Sequence, residues 1–172
     1  MKRSPAEMND ATLDRLFAGS DAPDADFVFD TRVATVFPDM LRRSVPCWSE
    51  LVRIIGLVAA HLTAVDHDRA TRRSSVTRIY DLGCSLGATS ASILARMPDT
   101  AVRILAVDNA PAMIDGLRER LQQAVNDGRV EPDCADVLDV RVSDAQVVVL
   151  NLTLQFVAPE QRLPLLRRIR QG

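Results

Sequence analysis

The sequence is poor in cysteine, glycine, aromatic residues and lysine. Its 172 residues include 3 cysteines, 7 glycines, 4% aromatic residues and a single lysine, Lys2. The cysteines lie far apart and form no CxxC pair, which excludes a disulfide framework and a zinc site built from cysteine pairs. No apolar run approaches the ~20 residues of a transmembrane helix, and the polar N-terminus lacks the apolar core of a secretory signal. We therefore expect a cytoplasmic protein without a membrane span.

The net charge and the length indicate what the protein binds and how many domains it has. The formal net charge is −2 and the pI about 5.7, so no bulk electrostatic attraction to nucleic acid is expected. A composition of 47% hydrophobic and 26% charged residues is ordinary for a globular protein, and this length suits one domain. We predict a poorly ordered arm over residues 1–26 and a single domain over residues 27–172. Within it, a helical segment is expected over residues 27–65 and the core over residues 76–172.

Apolar strands and amphipathic helices alternate in the second half of the chain. This order predicts an α/β fold with an open parallel sheet and flanking helices. Strands are predicted over residues 76–82, 101–107 and 147–152, with a weaker one over 129–134 that Pro132 disfavours. Helices are predicted over residues 88–97, 111–125 and 159–170. An earlier helix is predicted to begin at Pro46, to end before Asp66 and to bury Leu51, Ile54, Ile55, Val58 and Leu62.

A glycine-rich turn follows the first strand, where residues 80–87 read YDLGCSLG. Gly83 permits a tight turn and a close approach by a ligand. The dinucleotide fingerprint GxGxxG is not met. The spacing instead matches the DxGxGxG turn of S-adenosylmethionine-binding Rossmann-like enzymes, with Ser85 at the middle glycine. A turn that serves only the structure is the alternative.

Polar residues also follow the other strands, at the edge where open α/β sheets bind ligands. Asp108 can accept hydrogen bonds from both ribose hydroxyls of a nucleotide; the alternative is a cap for the next helix, which Asn109 can provide instead. Asp136 can accept from an adenine amine while the N–H of Val137 donates to a ring nitrogen, although a surface aspartate is equally ordinary. Asn151 ends a buried strand and needs a partner, which the amino acid portion of a ligand can supply.

The histidines and the cysteine of the turn give no sign of a metal site or of a catalytic nucleophile. His61 and His67 have no carboxylate or cysteine at metal-ligand spacing. Cys84 has no histidine near it in sequence, and a small residue at this position suits the packing of the turn. We therefore identify no catalytic residue and expect no metal site.

Four segments together resemble the bacterial carboxy-S-adenosyl-L-methionine synthase family of the S-adenosylmethionine-dependent methyltransferase superfamily. The resemblance runs from about Phe27 to the end of the chain, and its first and last segments are much more specific than a general methyltransferase turn. The segments are residues 29–46 (FDTRVATVFPDMLRRSVP), 80–88 (YDLGCSLGA), 107–114 (VDNAPAMI) and 150–156 (LNLTLQF).

The resemblance implies a class I methyltransferase-type Rossmann-like fold, in which residues 27–65 are a helical lid segment and residues 76–172 the nucleotide-binding core. It also implies a specific reaction. S-adenosyl-L-methionine and prephenate would give carboxy-S-adenosyl-L-methionine and phenylpyruvate, and a tRNA carboxymethyltransferase would use the product to modify a wobble uridine. It also implies a homodimer. The family's cofactor contacts correspond to Gly83, Cys84, Ser85, Asp108, Asn109, Asp136, Val137 and Asn151, with Trp48 at the position of a family tyrosine.

The family pattern continues beyond the position of Gly172. That continuation holds further strands and an arginine for the carboxylate of the modified cofactor, so we expect a sheet truncated after about four strands. Two alternatives stay open beside the synthase: a general S-adenosylmethionine-dependent methyltransferase, and a non-catalytic remnant that binds the same cofactor.

Overall fold

The fold was examined in a computed structural model that describes residues 29–69, 76–98 and 101–172. The predicted arm over residues 1–26 lies outside the described residues. The helices are α1 (Thr31–Ser44), α2 (Trp48–Arg69), α3 (Ala88–Leu94), α4 (Pro111–Arg120), α5 (Gln122–Asn126) and α6 (Pro159–Gln171). The strands are β1 (Thr77–Leu82), β2 (Val102–Asp108), β3 (Val130–Cys134) and β4 (Val147–Val149), and a short 3-10 helix covers Leu154–Phe156.

The four strands form one parallel sheet in the order β3-β2-β1-β4. The chain runs outward from β1 through β2 to β3 and then crosses to the other side of β1 to form β4. Because all strands are parallel, the ends of β1, β2, β3 and β4 lie at one edge of the sheet, here called the carboxyl edge. The predicted α/β class, the parallel sheet and its four strands are confirmed.

Two apolar clusters cover the two faces of the sheet. On one face, Ile79 and Ile104 pack with Ile93 of α3 and Leu117 of α4, all of them fully buried. On the other face, Tyr80 and Leu82 pack with the connection that precedes β4 and with Ile169 of α6. Consecutive strand residues therefore point to opposite faces and are buried on both, as in parallel sheets that carry helices on each side.

Helix α1 lies within the helical segment expected over residues 27–65, although no separate helix with these bounds was predicted. Its first N–H groups are capped by Asp30, whose carboxylate accepts from the Val33 N–H at 2.9 Å, and such a cap favours helix initiation. Val33 and Phe37, two of the three buried residues of α1, pack on Leu86 and Met113. α1 therefore rests on the glycine-rich turn and the first part of α4.

The expected buried face of α2 is wrong for three of its five residues, whereas Leu51 and Ile55 are half-buried and Ile55 packs against the core. Ile54, Val58 and Leu62 are each about half exposed, at 48%, 50% and 49%. The contact with α3 is instead made through small residues, because a Cβ on Gly56 would lie 2.7 Å from the Ser92 carbonyl oxygen and Ala59 is only 1% exposed. Close approach of two backbones selects small side chains at the contact, so the large apolar residues lie on the outer side of α2.

Several predicted boundaries also differ. α2 begins at Trp48, with Pro46 in the turn after α1, and it continues past Asp66 because the charged residues there do not break a helix. α3 ends at Leu94, and the predicted helix over 111–125 breaks at Leu121 into α4 and α5.

Two strands differ from expectation as well. β4 stops at Val149, and Leu152 adopts a left-handed backbone conformation that a strand does not allow. β3 forms despite Pro132 because it lies at the edge of the sheet, where a residue without an N–H is tolerated.

Among the described residues, no single helix is both long and apolar enough to cross a membrane. Only α1 and the first part of α2 reach that length and composition together, and they meet at a bend of 95°.

Candidate functional site at the carboxyl edge

The predicted site residues that follow the strands are brought to the carboxyl edge. Along this edge, the order of the strands places Asp136 after β3, Asp108 at the end of β2, Gly83 after β1 and Asn151 after β4. The Ala135 N–H donates to the Asp108 carbonyl at 3.2 Å, which joins the ends of β2 and β3. The edge therefore carries the carboxylates of Asp108 and Asp136 and the amides of Asn109 and Asn151, while the carboxylate of Asp81, described below, is buried near the end of β1.

The glycine-rich turn adopts the backbone that its sequence pattern predicts. Gly83 has a φ of +80°, and a Cβ there would overlap the side chain of Thr153. The N–H groups of Gly83 and Cys84 both donate to the Val107 carbonyl, at 2.8 and 2.9 Å. Ser85, at the position of the motif's middle glycine, has a φ of 50°, which is uncommon for a residue with a side chain. The turn keeps the conformation of a glycine although a serine is present.

Asp108 fixes the turn to the end of β2. Its Oδ2 accepts from the Ser85 N–H at 2.9 Å, and its Oδ1 accepts from the Ala110 N–H at 3.0 Å. Burial raises the pKa of Asp108, while these two backbone hydrogen bonds lower it. An ionised carboxylate has about four acceptor positions, so two are used by the protein and two are left for a ligand. The free acceptor positions are compatible with the predicted ribose contact. Asp108 also has a structural role, because it holds the Ser85 and Ala110 N–H groups.

Asn109 does not cap α4. The N-cap residue is Ala110, which has no side-chain cap, and Asn109 is exposed. The expectation that Asn109 frees Asp108 from a capping role is therefore wrong. Asp108 itself binds the Ala110 N–H, because its carboxylate lies two residues earlier, at the distance suited to a local turn. Asn109 remains at the edge, with its side chain exposed.

The loop after β3 is a compact turn. Asp136 accepts from the Leu138 N–H through Oδ1 at 2.8 Å, and its carbonyl accepts from the Asp139 N–H at 2.9 Å. Asp136 is exposed, whereas Val137 is half-buried against Tyr80 and its neighbours. Since one carboxylate oxygen holds the turn, the second is free to accept from a ligand amine.

Asn151 finds a protein partner across the edge. Its Nδ2 donates to the Thr89 Oγ1 of α3 at 3.4 Å. Two residues later, the Thr153 hydroxyl donates to the Leu82 carbonyl at 2.7 Å, which ties the segment after β4 to the end of β1. Thr89 thus supplies part of the hydrogen bonding that Asn151 was expected to need. The amide oxygen of Asn151 remains available as an acceptor.

Asp81 is a buried carboxylate to which the sequence analysis gave no role. It is 1% exposed, and the Ser90 hydroxyl donates to its Oδ2 at 2.7 Å. Burial raises its pKa from 3.8 to about 6; hydrogen bonds from the hydroxyl and the N–H of Ser90 oppose the shift, and the charge of Asp108 adds to it. Asp81 thereby joins β1 to the first turn of α3. The sequence signal that could have identified Asp81 is its position as the first residue of the DxGxGxG pattern.

Cys84 is unsuited to act as a nucleophile. It is 4% exposed and belongs to the apolar cluster beneath the turn. Burial raises the pKa of its thiol, and the charges of Asp81 and Asp108 act in the same direction. Because the thiolate is the reactive form, the side chain stays an uncharged packing group. Cys84 contributes to the turn through its backbone N–H, which donates to the Val107 carbonyl.

Trp48 lies at the same end of the molecule as the glycine-rich turn. The Ser92 hydroxyl of α3 donates to the Val52 carbonyl at 2.9 Å, while Thr63 near the other end of α2 lies against Met97. α2 and α3 therefore run side by side in the same direction. Since α3 begins at the turn, α2 begins there too, and Trp48 is its half-buried first residue.

No group of three or more His, Cys, Asp and Glu side chains that could hold a metal ion occurs within residues 29–69, 76–98 and 101–172. The polar groups of the carboxyl edge are carboxylates, amides and backbone N–H groups. This set recognises hydroxyl, amine and cationic groups of an organic ligand.

Comparison with protein families agrees with this architecture. A family model described as "Methyltransferase domain" matches residues 79–171, more than half of the chain. The matched region begins in β1 and includes the turn, Asp108 and Asn151.

Curated relatives are named carboxy-S-adenosyl-L-methionine synthase. The protein of this name from Shewanella halifaxensis is 42% identical over 165 residues, covering 96% of this chain and 63% of the relative. That from Erwinia tasmaniensis is 42% identical over 159 residues, covering 92% and 61%. The chain thus spans less than two thirds of the length of these relatives.

Solved structures share the fold. An O-methyltransferase family protein from Burkholderia thailandensis superposes with a TM-score of 0.59 at 23% identity, covering 82% of this chain and 38% of that protein.

Proposed function

Since the chain belongs to the methyltransferase-domain family, we propose that it binds S-adenosyl-L-methionine at the carboxyl edge of its sheet. Within that family, we propose that it acts as a transferase that forms carboxy-S-adenosyl-L-methionine from S-adenosyl-L-methionine and prephenate, with release of phenylpyruvate and water. The observation that carries the proposal is the site itself, in which Asp108 lies against the glycine-rich turn. The relatives at 42% identity are named carboxy-S-adenosyl-L-methionine synthase, which supports this product, while prephenate as the second substrate rests on the resemblance.

The chemistry of the edge supports the choice of ligand. S-adenosyl-L-methionine carries ribose hydroxyls, an adenine amine, an ammonium group, a carboxylate and a sulfonium cation, and its net charge is positive. Asp108 and Asp136 have free acceptor positions for the hydroxyls and the adenine amine, and the amide oxygen of Asn151 can accept from the ammonium group. The negative charge of the edge favours a cationic ligand over an anionic one. A dinucleotide with two phosphates fits this edge less well.

Binding is tested first, by calorimetric titration with S-adenosyl-L-methionine and, separately, with NAD. The full chain is expected to bind the former and not the latter. Asp108→Asn should weaken binding, and Asp127→Asn, which changes an exposed carboxylate at the opposite edge of the sheet, is the matched control. Tight binding of NAD without binding of S-adenosyl-L-methionine would contradict the assignment of the site.

The reaction is tested by incubation with S-adenosyl-L-methionine and prephenate, followed by mass spectrometry. The synthase predicts a product heavier by one carboxyl group that depends on prephenate, together with phenylpyruvate. Binding without this product would favour one of the two alternatives, a general methyltransferase or a binding protein without this activity.

Three further parts of the proposal rest on the resemblance. The chain would form a homodimer in the cytoplasm, and its product would serve a tRNA carboxymethyltransferase that acts on wobble uridine. Light scattering coupled to size-exclusion chromatography measures the oligomeric state. Loss of the modified wobble nucleoside from cellular tRNA after deletion of the gene tests the tRNA link, and cell fractionation tests the location.

A further inference from the structure

A pair of aromatic contacts connects the two sides of the carboxyl edge. The ring of Phe29, just before α1, lies 5.7 Å from that of Phe37 and 5.8 Å from that of Phe156, edge-to-face in both cases. Phe156 belongs to the short 3-10 helix after β4. Since β4 and β2 lie on opposite sides of β1, the contact joins α1 to the far side of the glycine-rich turn.

The rest of α1 is attached to the near side. Val33 and Phe37 are 7% and 9% exposed, and they pack on Leu86 of the turn and on Met113 of α4. α1 therefore passes over the turn, with a buried apolar attachment on one side and the Phe29–Phe156 contact on the other. A ligand bound at the turn would lie beneath this helix.

The two attachments differ in strength. Phe156 is 67% exposed, so the Phe29–Phe156 contact buries little surface and can break without disturbing the core. The attachment through Phe37 is buried and would break only with local unfolding. Motion of α1 would therefore begin at its first residues, and the far side of the turn would open first.

We propose that the Phe29–Phe156 contact is a latch that sets the rate at which the ligand enters and leaves the carboxyl edge. The identity of the ligand rests on the proposed function. A latch present in both the free and the bound protein slows association and dissociation by the same factor, and it leaves the affinity unchanged. A residue that touches the ligand affects mainly dissociation and affinity.

The kinetic test uses Phe156→Ala and Phe156→Leu with S-adenosylhomocysteine as the probe, followed by stopped-flow fluorescence of Trp48, the single tryptophan. An edge-to-face aromatic pair corresponds to a roughly two- to twelvefold change in an equilibrium constant. Both rate constants should rise by a similar factor within this range in both variants, with Kd changed less than about twofold. Leu163→Ala, at an exposed apolar residue of α6, should change neither rate. A rise in dissociation alone, or no change, would overturn the latch.

A second measurement needs no ligand. Hydrogen exchange of the α1 amides should be faster in Phe156→Ala than in the wild type, while exchange in β1 and β2 stays the same. Unchanged exchange in α1 would refute the latch even if the ligand binds. Conversely, failure of the wild type to bind S-adenosylhomocysteine or S-adenosyl-L-methionine at equilibrium would refute the proposed function, and the exchange data would still decide whether the contact holds α1.

Discussion

Replacing Asp81 by asparagine should change how the stability of the protein depends on pH. Asp81 is 1% exposed, and burial raises its pKa to about 6 from 3.8. Between these two values the folded protein holds a proton on this carboxyl group, whereas the unfolded chain has released it. The contribution of the group to stability is thus fully present below about pH 4 and is lost as the pH rises through about 6.

The size of the effect follows from the two pKa values. One pKa unit corresponds to 1.36 kcal/mol, so the interval from 3.8 to about 6 corresponds to about 3 kcal/mol of unfolding free energy. Asparagine carries no titratable proton and keeps one oxygen as an acceptor for Ser90. Any hydrogen bond that its amide does not regain carries a cost that does not vary with pH, so only the slope is diagnostic.

The assay is urea unfolding followed by circular dichroism between pH 4 and 7.5. The difference in unfolding free energy, Asp81→Asn minus wild type, should rise by about 2 kcal/mol over this range, because the unfolded chain has already released part of this proton at pH 4. Asp139→Asn, at an exposed aspartate, controls for the loss of one carboxylate. A difference that stays flat or falls with increasing pH would refute the assignment of a raised pKa to Asp81.

The other predictions concern the turn and the packing of the helices. Asp108→Asn should weaken binding of S-adenosyl-L-methionine by about 1–3 kcal/mol, the range for an unpaired polar partner, as measured by calorimetry. Gly83→Ala should lower the urea midpoint strongly, because the residue has a φ of +80° and its Cβ would overlap Thr153. Thr153→Val removes a buried hydrogen bond to the last carbonyl of β1 and should cost about 1–3 kcal/mol in the same assay. Val58→Ala should cost less than about 1 kcal/mol, whereas Leu117→Ala should cost about 2–5 kcal/mol; equal losses would contradict the exposure of the outer side of α2.

The carboxyl-edge site could be predicted from sequence because its parts are local. A strand followed by a glycine-rich turn and a helix specifies one crossover unit, and repetition of that unit specifies a parallel sheet. The end of each strand must then lie at the same edge, so Asp108, Asp136 and Asn151 could be assigned to it without coordinates. Gly83 could be assigned a tight turn because its pattern requires a backbone that other residues rarely adopt.

The roles of these side chains depended on contacts between distant segments. Whether Asp108 caps a helix or binds Ser85 is decided by where the glycine-rich turn lies after folding. The pKa of Asp81 follows from complete burial between β1 and α3, which no local pattern reports.

The sequence by itself determined the order of the elements, the parallel sheet and the edge that carries the site, since these follow from apolar periodicity and from the handedness of crossovers. Only the tertiary structure decided which side of α2 is buried, because periodicity marks apolar residues but not whether a neighbouring helix approaches closely enough to require Gly56 and Ala59 at the contact. It also decided that α1 lies over the turn. That position depends on the packing of Val33 and Phe37 against Leu86 and Met113, which are remote from them in sequence and meet them only in the folded chain.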